Sequence, residues 1–142
     1  MNQQEVISKI KEINLPFGEY MIIGGASLAV RDLRETKDLD ILVLPERFEV
    51  LSTFYSFDKQ YEAKWNRKRL KSDNIEIYPD LLLETKDIYF DVVELIKNAE
   101  VIDDIPLQPL DNLIICKQDS GREKDLADIK LIKTYIEERK ND

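Results

Sequence analysis

The most constraining stretch of this chain is a short apolar run, Tyr20 to Ile23, that stops at Gly24-Gly25. Four apolar residues are too few for a helix and suit a buried strand, which a glycine pair ends in a tight turn. Ser27 then stands where a helix N-cap is expected, ahead of Leu28, Ala29, Val30 and Leu33. A second strand, Leu39 to Leu44, follows at once and is closed by Pro45. Strand, glycine turn, helix and strand in such quick succession commit the chain to an α/β arrangement.

The flanking segments fit that frame. Val6, Ile7, Ile10 and Ile13 recur at helical spacing before Pro16. Pro45 suits the first turn of a helix with Phe48, Leu51, Phe54 and Tyr55 on its apolar face. Tyr61 to Trp65 alternates weakly as a strand would, and Ile75 to Tyr78 has strand composition closed by Pro79. Ile88 to Ile96 reads as a helix, and Leu81-Leu82-Leu83 as core or a partner surface. Val101-Ile102 and Ile105 to Leu110 are short and broken by Pro106 and Pro109. The last third is helical, with Leu113 to Lys117, a break at Gly121, and then Leu126, Ile129, Ile132, Tyr135 and Ile136 at helical spacing. At 142 residues one domain is expected. Residues 1 to about 100 would form an α/β body, and about 110 to 140 a helical tail packed on it.

Composition removes most chemistry. No histidine is present, which excludes an imidazole base, a Ser-His-Asp triad and a histidine zinc site. The one cysteine excludes an internal disulfide and a cysteine metal cluster. Cys116 lies in an apolar helical stretch and reads as core. Any metal here must sit on oxygen ligands, which points to Mg²⁺, Mn²⁺ or Ca²⁺. With 29 acidic against 21 basic residues the net charge is −8, so bulk charge would not hold nucleic acid. One local basic patch, Lys64 to Lys71 around Trp65, could grip single-stranded RNA, although a solvated loop explains it as well. No apolar run is long enough to span a membrane, and the N-terminus MNQQEVISKI lacks a signal-peptide layout, so a cytoplasmic protein is expected.

Three features carry possible chemistry. The Gly24-Gly25 turn before a helix start could present backbone N–H groups and the Ser27 hydroxyl to an anion. Taken alone, a plain strand-to-helix turn explains it. Asp38 and Asp40 stand two apart at the opening of a strand and so share a face. Two such carboxylates repel unless a cation sits between them, although a solvated acid pair at a strand start is common. Glu76, between Ile75 and Ile77, reads either as a surface acid or, on a neighbouring strand, as a third carboxylate for a hard divalent cation. A carboxylate cage facing a phosphate-binding turn is the layout of metal-dependent phosphoryl or nucleotidyl transfer.

The run Gly24-Gly25-Ala26-Ser27-Leu28, followed by Arg34-Glu35-Thr36-Lys37-Asp38-Leu39-Asp40-Ile41, resembles the signature of the DNA polymerase β-like nucleotidyltransferases. Its Arg-x-Thr-x-Asp-Leu-Asp form is similar to the toxin nucleotidyltransferases of the abortive-infection AbiE type. Lys117, then Ser120-Gly121-Arg122-Glu123-Lys124-Asp125-Leu126-Ala127-Asp128-Ile129, resembles the later motifs of that subgroup. Many relatives carry glycine where this chain has Asp32, and the toxin group commonly has a larger helical region. The resemblance implies the minimal nucleotidyltransferase fold, a mixed β-sheet with flanking helices and C-terminal helices closing the cleft. It implies that Gly24, Gly25 and Ser27 cradle the β- and γ-phosphates of an NTP, with Arg34 and Thr36 also at the nucleotide. Asp38, Asp40 and Glu76 would hold Mg²⁺ or Mn²⁺, Glu76 also serving as base, and Lys117 and Arg122 would contact the triphosphate or base. Asp125 and Asp128 would orient those cations or cap the last helix. The acceptor would be RNA or tRNA, a protein side chain or a small hydroxylated molecule, with an antitoxin-like protein as a possible partner. Two other readings stay open: a catalytically weak nucleotide- or partner-binding module of a toxin–antitoxin-like pair, and a carboxylate-metal hydrolase.

Overall fold

A computed structural model describes residues 1–54, 57–62 and 67–140. In chain order the elements are α1 (Gln3–Ile13), β1 (Tyr20–Ile23), α2 (Gly24–Val30), β2 (Leu39–Val43), α3 (Pro45–Leu51), β3 (Asp58–Glu62), β4 (Arg67–Ser72) and β5 (Ile75–Tyr78). They continue as β6 (Leu82–Leu83), β7 (Ile88–Tyr89), α4 (Val92–Lys97), β8 (Glu100–Ile102), β9 (Ile105–Leu107), α5 (Leu110–Ser120) and α6 (Glu123–Lys140). Among the described residues this is a mixed α/β architecture, with six helices and a seven-stranded sheet in the order β3-β4-β5-β2-β1-β9-β8. β1 runs antiparallel to β2 and parallel to β9, and β2 runs parallel to β5. β6 and β7 form a separate hairpin.

Strand alternation divides the core between the two sheet faces. Tyr20 and Ile22 of β1, with Leu39, Ile41 and Val43 of β2, pack on Val6 and Ile10 of α1 and Ala26, Ala29 and Val30 of α2. Met21, Ile23 and Leu42 face the other way, onto Tyr78, Leu81 and Ile96, with Cys116 of α5 at the edge. A third cluster, Leu28, Leu113 and Ile132, docks the α5–α6 pair on α2. The helical tail is thereby fastened beside the glycine turn that starts α2.

Several elements depart from expectation for local reasons. α2 starts at Gly24, so the glycine turn is itself the first turn of the helix and Ser27 lies inside it rather than at its N-cap. The helix expected from Ile88 starts only at Val92. Asp91 caps it by accepting the Glu94 N–H, while Ile88 and Tyr89 pair with Leu83 and Leu82. α3 ends at Leu51 and leaves Phe54 exposed, and Tyr55 lies outside the described residues. The strand expected over Tyr61 to Trp65 is β3, shifted to Asp58–Glu62, and Lys64 and Trp65 lie outside the described residues. Leu81 and Leu82 are core. Among the described residues no helix is long and apolar enough to cross a membrane.

Asp32, where the resembled family often has glycine, follows α2 with φ +60°, in the left-handed region. Glycine reaches that region without the Cβ penalty an aspartate carries. Asp32→Gly should therefore stabilise the fold by about 0.5–1 kcal/mol, read as a higher urea midpoint with an unchanged m-value.

Candidate active site

The sheet register builds one wall of the site. Asp40 on β2 stands beside Ile23 on β1 and Glu76 on β5, and Glu76 stands beside Lys71 on β4. Glu76 does not present an open carboxylate. Its Oε1 accepts from Arg69 at 3.1 Å and lies 3.7 Å from Lys71 Nζ, and its Oε2 accepts from the Tyr78 hydroxyl at 3.1 Å. Asp40 is the opposite case. Its Oδ1 is shut off from solvent and has no hydrogen-bond partner. Burial, then Glu76 and Asp38 nearby, push its carboxyl up to about 7. A buried, unpartnered carboxylate oxygen is costly unless a cation compensates it. Among the described residues no three acidic side chains are gathered as a ready-made metal cluster. The orphaned Asp40 oxygen, with Asp38 two residues away, still has the donor chemistry of a Mg²⁺ or Mn²⁺ site.

The glycine turn forms the roof over Asp40. Gly24 has φ +61°, and a Cβ built on it would stand 3.7 Å from Asp40 Oδ2. Its N–H donates to Gln108 Oε1 at 2.9 Å, so that amide is committed to the protein. Ser27 is fully buried and its hydroxyl donates to the Gly24 carbonyl at 2.6 Å. The hydroxyl expected to meet phosphate therefore closes the turn from inside. At Gly25, a Cβ would come within 2.9 Å of both Arg34 Nη2 and Thr36 Oγ1. Those atoms are held elsewhere, Arg34 by Asp128 and Thr36 by the Asp38 carbonyl at 3.0 Å. Gly25→Ala should push Arg34 out of place and cost about 1–3 kcal/mol, visible as a lower Tm.

The facing wall comes from the α5–α6 corner. Arg34 makes a two-pronged contact to Asp128, Nε–Oδ1 2.7 Å and Nη2–Oδ2 2.9 Å. Lys117 Nζ lies 2.8 Å from Asp128 and 3.5 Å from Asp125. Arg122 donates through Nε to Asp125 at 2.8 Å, and its backbone N–H also donates to Asp125 at 3.2 Å. Asp125 thus both aims a cation and caps α6. Burial would raise these two carboxyls, but hydrogen bonds from Arg122 to Asp125 and from Arg34 and Lys117 to Asp128, together with the lysine's charge, hold both below the usual carboxylate range.

Between the walls lies a cavity of about 580 Å³. Of the residues the sequence singled out, Gly24, Gly25, Arg34, Thr36, Asp38, Asp40, Lys117 and Arg122 line it, as do Asp125 and Asp128. Ser27 and Glu76 stand behind it. Lys37 and Lys124, which stand in the quoted motifs without an assigned role, add two cations. The basic patch, read first as a solvated loop and second as a grip for RNA, is in part the strand β4. Arg67 is buried against Asp80 at 2.7 Å and 4.1 Å above the Tyr78 ring, and Arg69 is turned onto Glu76. Cys116 packs at the edge of the core, and burial pushes its thiol up to about 11, away from the thiolate form. The chain matches no family model and no curated protein.

Proposed function

We propose that the protein is a Mg²⁺- or Mn²⁺-dependent nucleotidyltransferase of the polymerase β-like kind, built on the minimal fold of that group. The observation that carries this reading is the composition of the cavity walls. A buried, unpartnered Asp40 oxygen with Asp38 stands on one side, and Arg34, Lys117 and Arg122 stand on the other. Carboxylates beside Arg34, Lys117 and Arg122, which Asp125 and Asp128 hold in place, suit a polyphosphate and its divalent cation.

Asp38 and Asp40 would hold the cation, with Glu76, whose own oxygens are taken by Arg69, Lys71 and Tyr78, packed behind Asp40. When bound, it would neutralise phosphate charge and lower the pKa of a coordinated oxygen. The protein's own groups do the rest. Gly24 and Gly25 let the Asp40 carboxylate and the Arg34 guanidinium come close to the backbone. Arg34, Lys117 and Arg122 offset the charge that builds on the departing pyrophosphate. An acceptor hydroxyl attacks the α-phosphorus in line, the bond to the pyrophosphate oxygen breaks, and the hydroxyl proton passes to water. RNA, a protein side chain or a small hydroxylated compound could supply that hydroxyl. An antitoxin-like partner belongs to the same reading.

The test is transfer of label from each α-³²P-NTP to total RNA, protein or small hydroxylated compounds. The expected result is transfer with Mg²⁺ or Mn²⁺, none with EDTA, and at least a hundredfold loss in Asp38→Asn, since a lost metal ligand removes about 3 kcal/mol of transition-state stabilisation. Release of free phosphate without any labelled acceptor would favour a hydrolase instead.

A further inference from the structure

The buried amide of Gln108 is a side chain that the catalytic reading leaves unused. It is 1% exposed and follows β9, where its backbone N–H donates to the Ile22 carbonyl at 2.8 Å. Its side-chain oxygen accepts the Gly24 N–H at 2.9 Å. Its side-chain nitrogen donates to Asn112 Oδ1 at 2.8 Å and reaches Cys116 Sγ at 3.7 Å, both on α5. Its carbonyl accepts at 2.8 Å from Arg31, the residue that follows α2. One residue therefore touches the glycine turn, the end of α2 and α5.

The need for such a residue follows from backbone geometry. Gly24 lies where β1 ends and α2 begins, so its N–H has neither a strand partner nor an intrahelical one. A buried N–H without an acceptor turns towards whatever it can find, and Gly24, at φ +61°, is free to turn. The Gln108 oxygen fixes it. The same amide is clamped at its other end by Asn112, one turn and a residue before Lys117 on α5. The glycine roof over Asp40 and the helix that carries Lys117 are thus set against each other by one planar group.

We infer that Gln108 is a positioning residue that fixes the distance between the Gly24–Gly25 turn beside Asp40 and the cationic wall on α5. This rests on the nucleotidyltransferase reading. Gln108 touches neither NTP nor metal. It sets the geometry in which the α-phosphorus is attacked, so its loss should act on the reaction step more than on ground-state binding.

The test compares kcat and KM for label transfer in wild type, Gln108→Met, Gln108→Glu and Asn112→Ala, with Tm measured for each. Gln108→Met keeps side-chain length but removes the amide. It should lower kcat at least tenfold with KM for Mg²⁺·NTP within threefold. Gln108→Glu restores an acceptor for Gly24, and Asn112 can turn its own amide to donate to it, so it should recover at least a third of wild-type kcat even where its Tm is no higher than that of Gln108→Met. Should Gln108→Met fail to fold, Asn112→Ala decides, with an expected three- to tenfold fall in kcat and little change in KM. A wild-type kcat in soluble Gln108→Met or Asn112→Ala, or losses that follow Tm alone with no rescue by glutamate, would overturn the inference and leave the nucleotidyltransferase reading intact. Absence of NTP binding and of transfer by the wild-type protein would overturn both.

Discussion

Asp40→Asn is expected to abolish label transfer and, in the metal-free protein, to raise stability at pH 8. The two effects have one cause. Asp40 is placed beside Glu76 by the register of β2 and β5, with one oxygen buried and unpartnered. Its folded value is raised from 3.8 to about 7. The sign follows directly. A carboxyl raised on folding contributes stability fully below its unfolded value, and that contribution is lost as pH climbs through the folded one. The metal-free protein should lose on the order of 3 kcal/mol through this group between about pH 4 and pH 7. Asparagine carries no charge and can donate its amide to Glu76, so the variant should not show this loss. Urea unfolding of both proteins at pH 5 and pH 8 in EDTA measures the difference. Mg²⁺ should raise the wild-type midpoint at pH 8, less at pH 5 where Asp40 is protonated, and not at all in Asp40→Asn. A variant that was less stable at pH 8, or that still gained from Mg²⁺, would place the cation elsewhere.

Much of this was legible in the sequence because it depends on neighbours along the chain. The apolar run ending at Gly24-Gly25, the alternation through Leu39-Asp40-Ile41 and the break at Gly121 are local features, and β1, β2 and the α5–α6 corner follow from them. The convergence of Asp40 with Glu76 needed only that their strands be adjacent. Less legible was what depends on tertiary partners. Arg67 and Arg69 look like solvated cations in a basic run, but alternation along β4 sends both to the Glu76 and Tyr78 face, where acids meet them. Ser27 looks like a cap, but the positive φ of Gly24 lets the helix start four residues earlier and turns the hydroxyl inward. Gln108 gave a faint signal, an amide in an apolar stretch between two prolines. Its partners, 84 residues upstream at Gly24 and four downstream at Asn112, exist only in the fold.

Lys117 should prove the most sensitive cation, and the aspartates around it allow its binding and aiming roles to be separated. Its side chain is 11% exposed and sits between Asp125 and Asp128, both of which are nearly closed off from water. Lys117→Met leaves Arg122 on Asp125 and Arg34 on Asp128, so neither acid is stranded, but each loses the neighbour that offset its burial. The expected cost is about 2–4 kcal/mol at pH 7, within the range for breaking a buried ion pair. Both aspartates are held below their unfolded value, so their contribution is present at neutral pH and lost as pH falls below about 4. The deficit of Lys117→Met should therefore shrink on acidification, which denaturant curves at pH 7 and pH 3.5 would show. Transfer should fall at least a hundredfold, on the scale of removing a preorganised charge stabiliser. Inorganic tripolyphosphate should bind at least tenfold more weakly, because the cavity wall has lost a cation. Asp128→Asn should behave differently. It releases Arg34 and Lys117 from a carboxylate that competes with phosphate, so tripolyphosphate should bind as well as before or better. The same change frees both side chains to wander, so kcat should still drop at least tenfold. Weak anion binding in Asp128→Asn would mean that the aspartate holds the wall together, whereas intact binding with poor turnover would mean that it aims the cations at the leaving pyrophosphate.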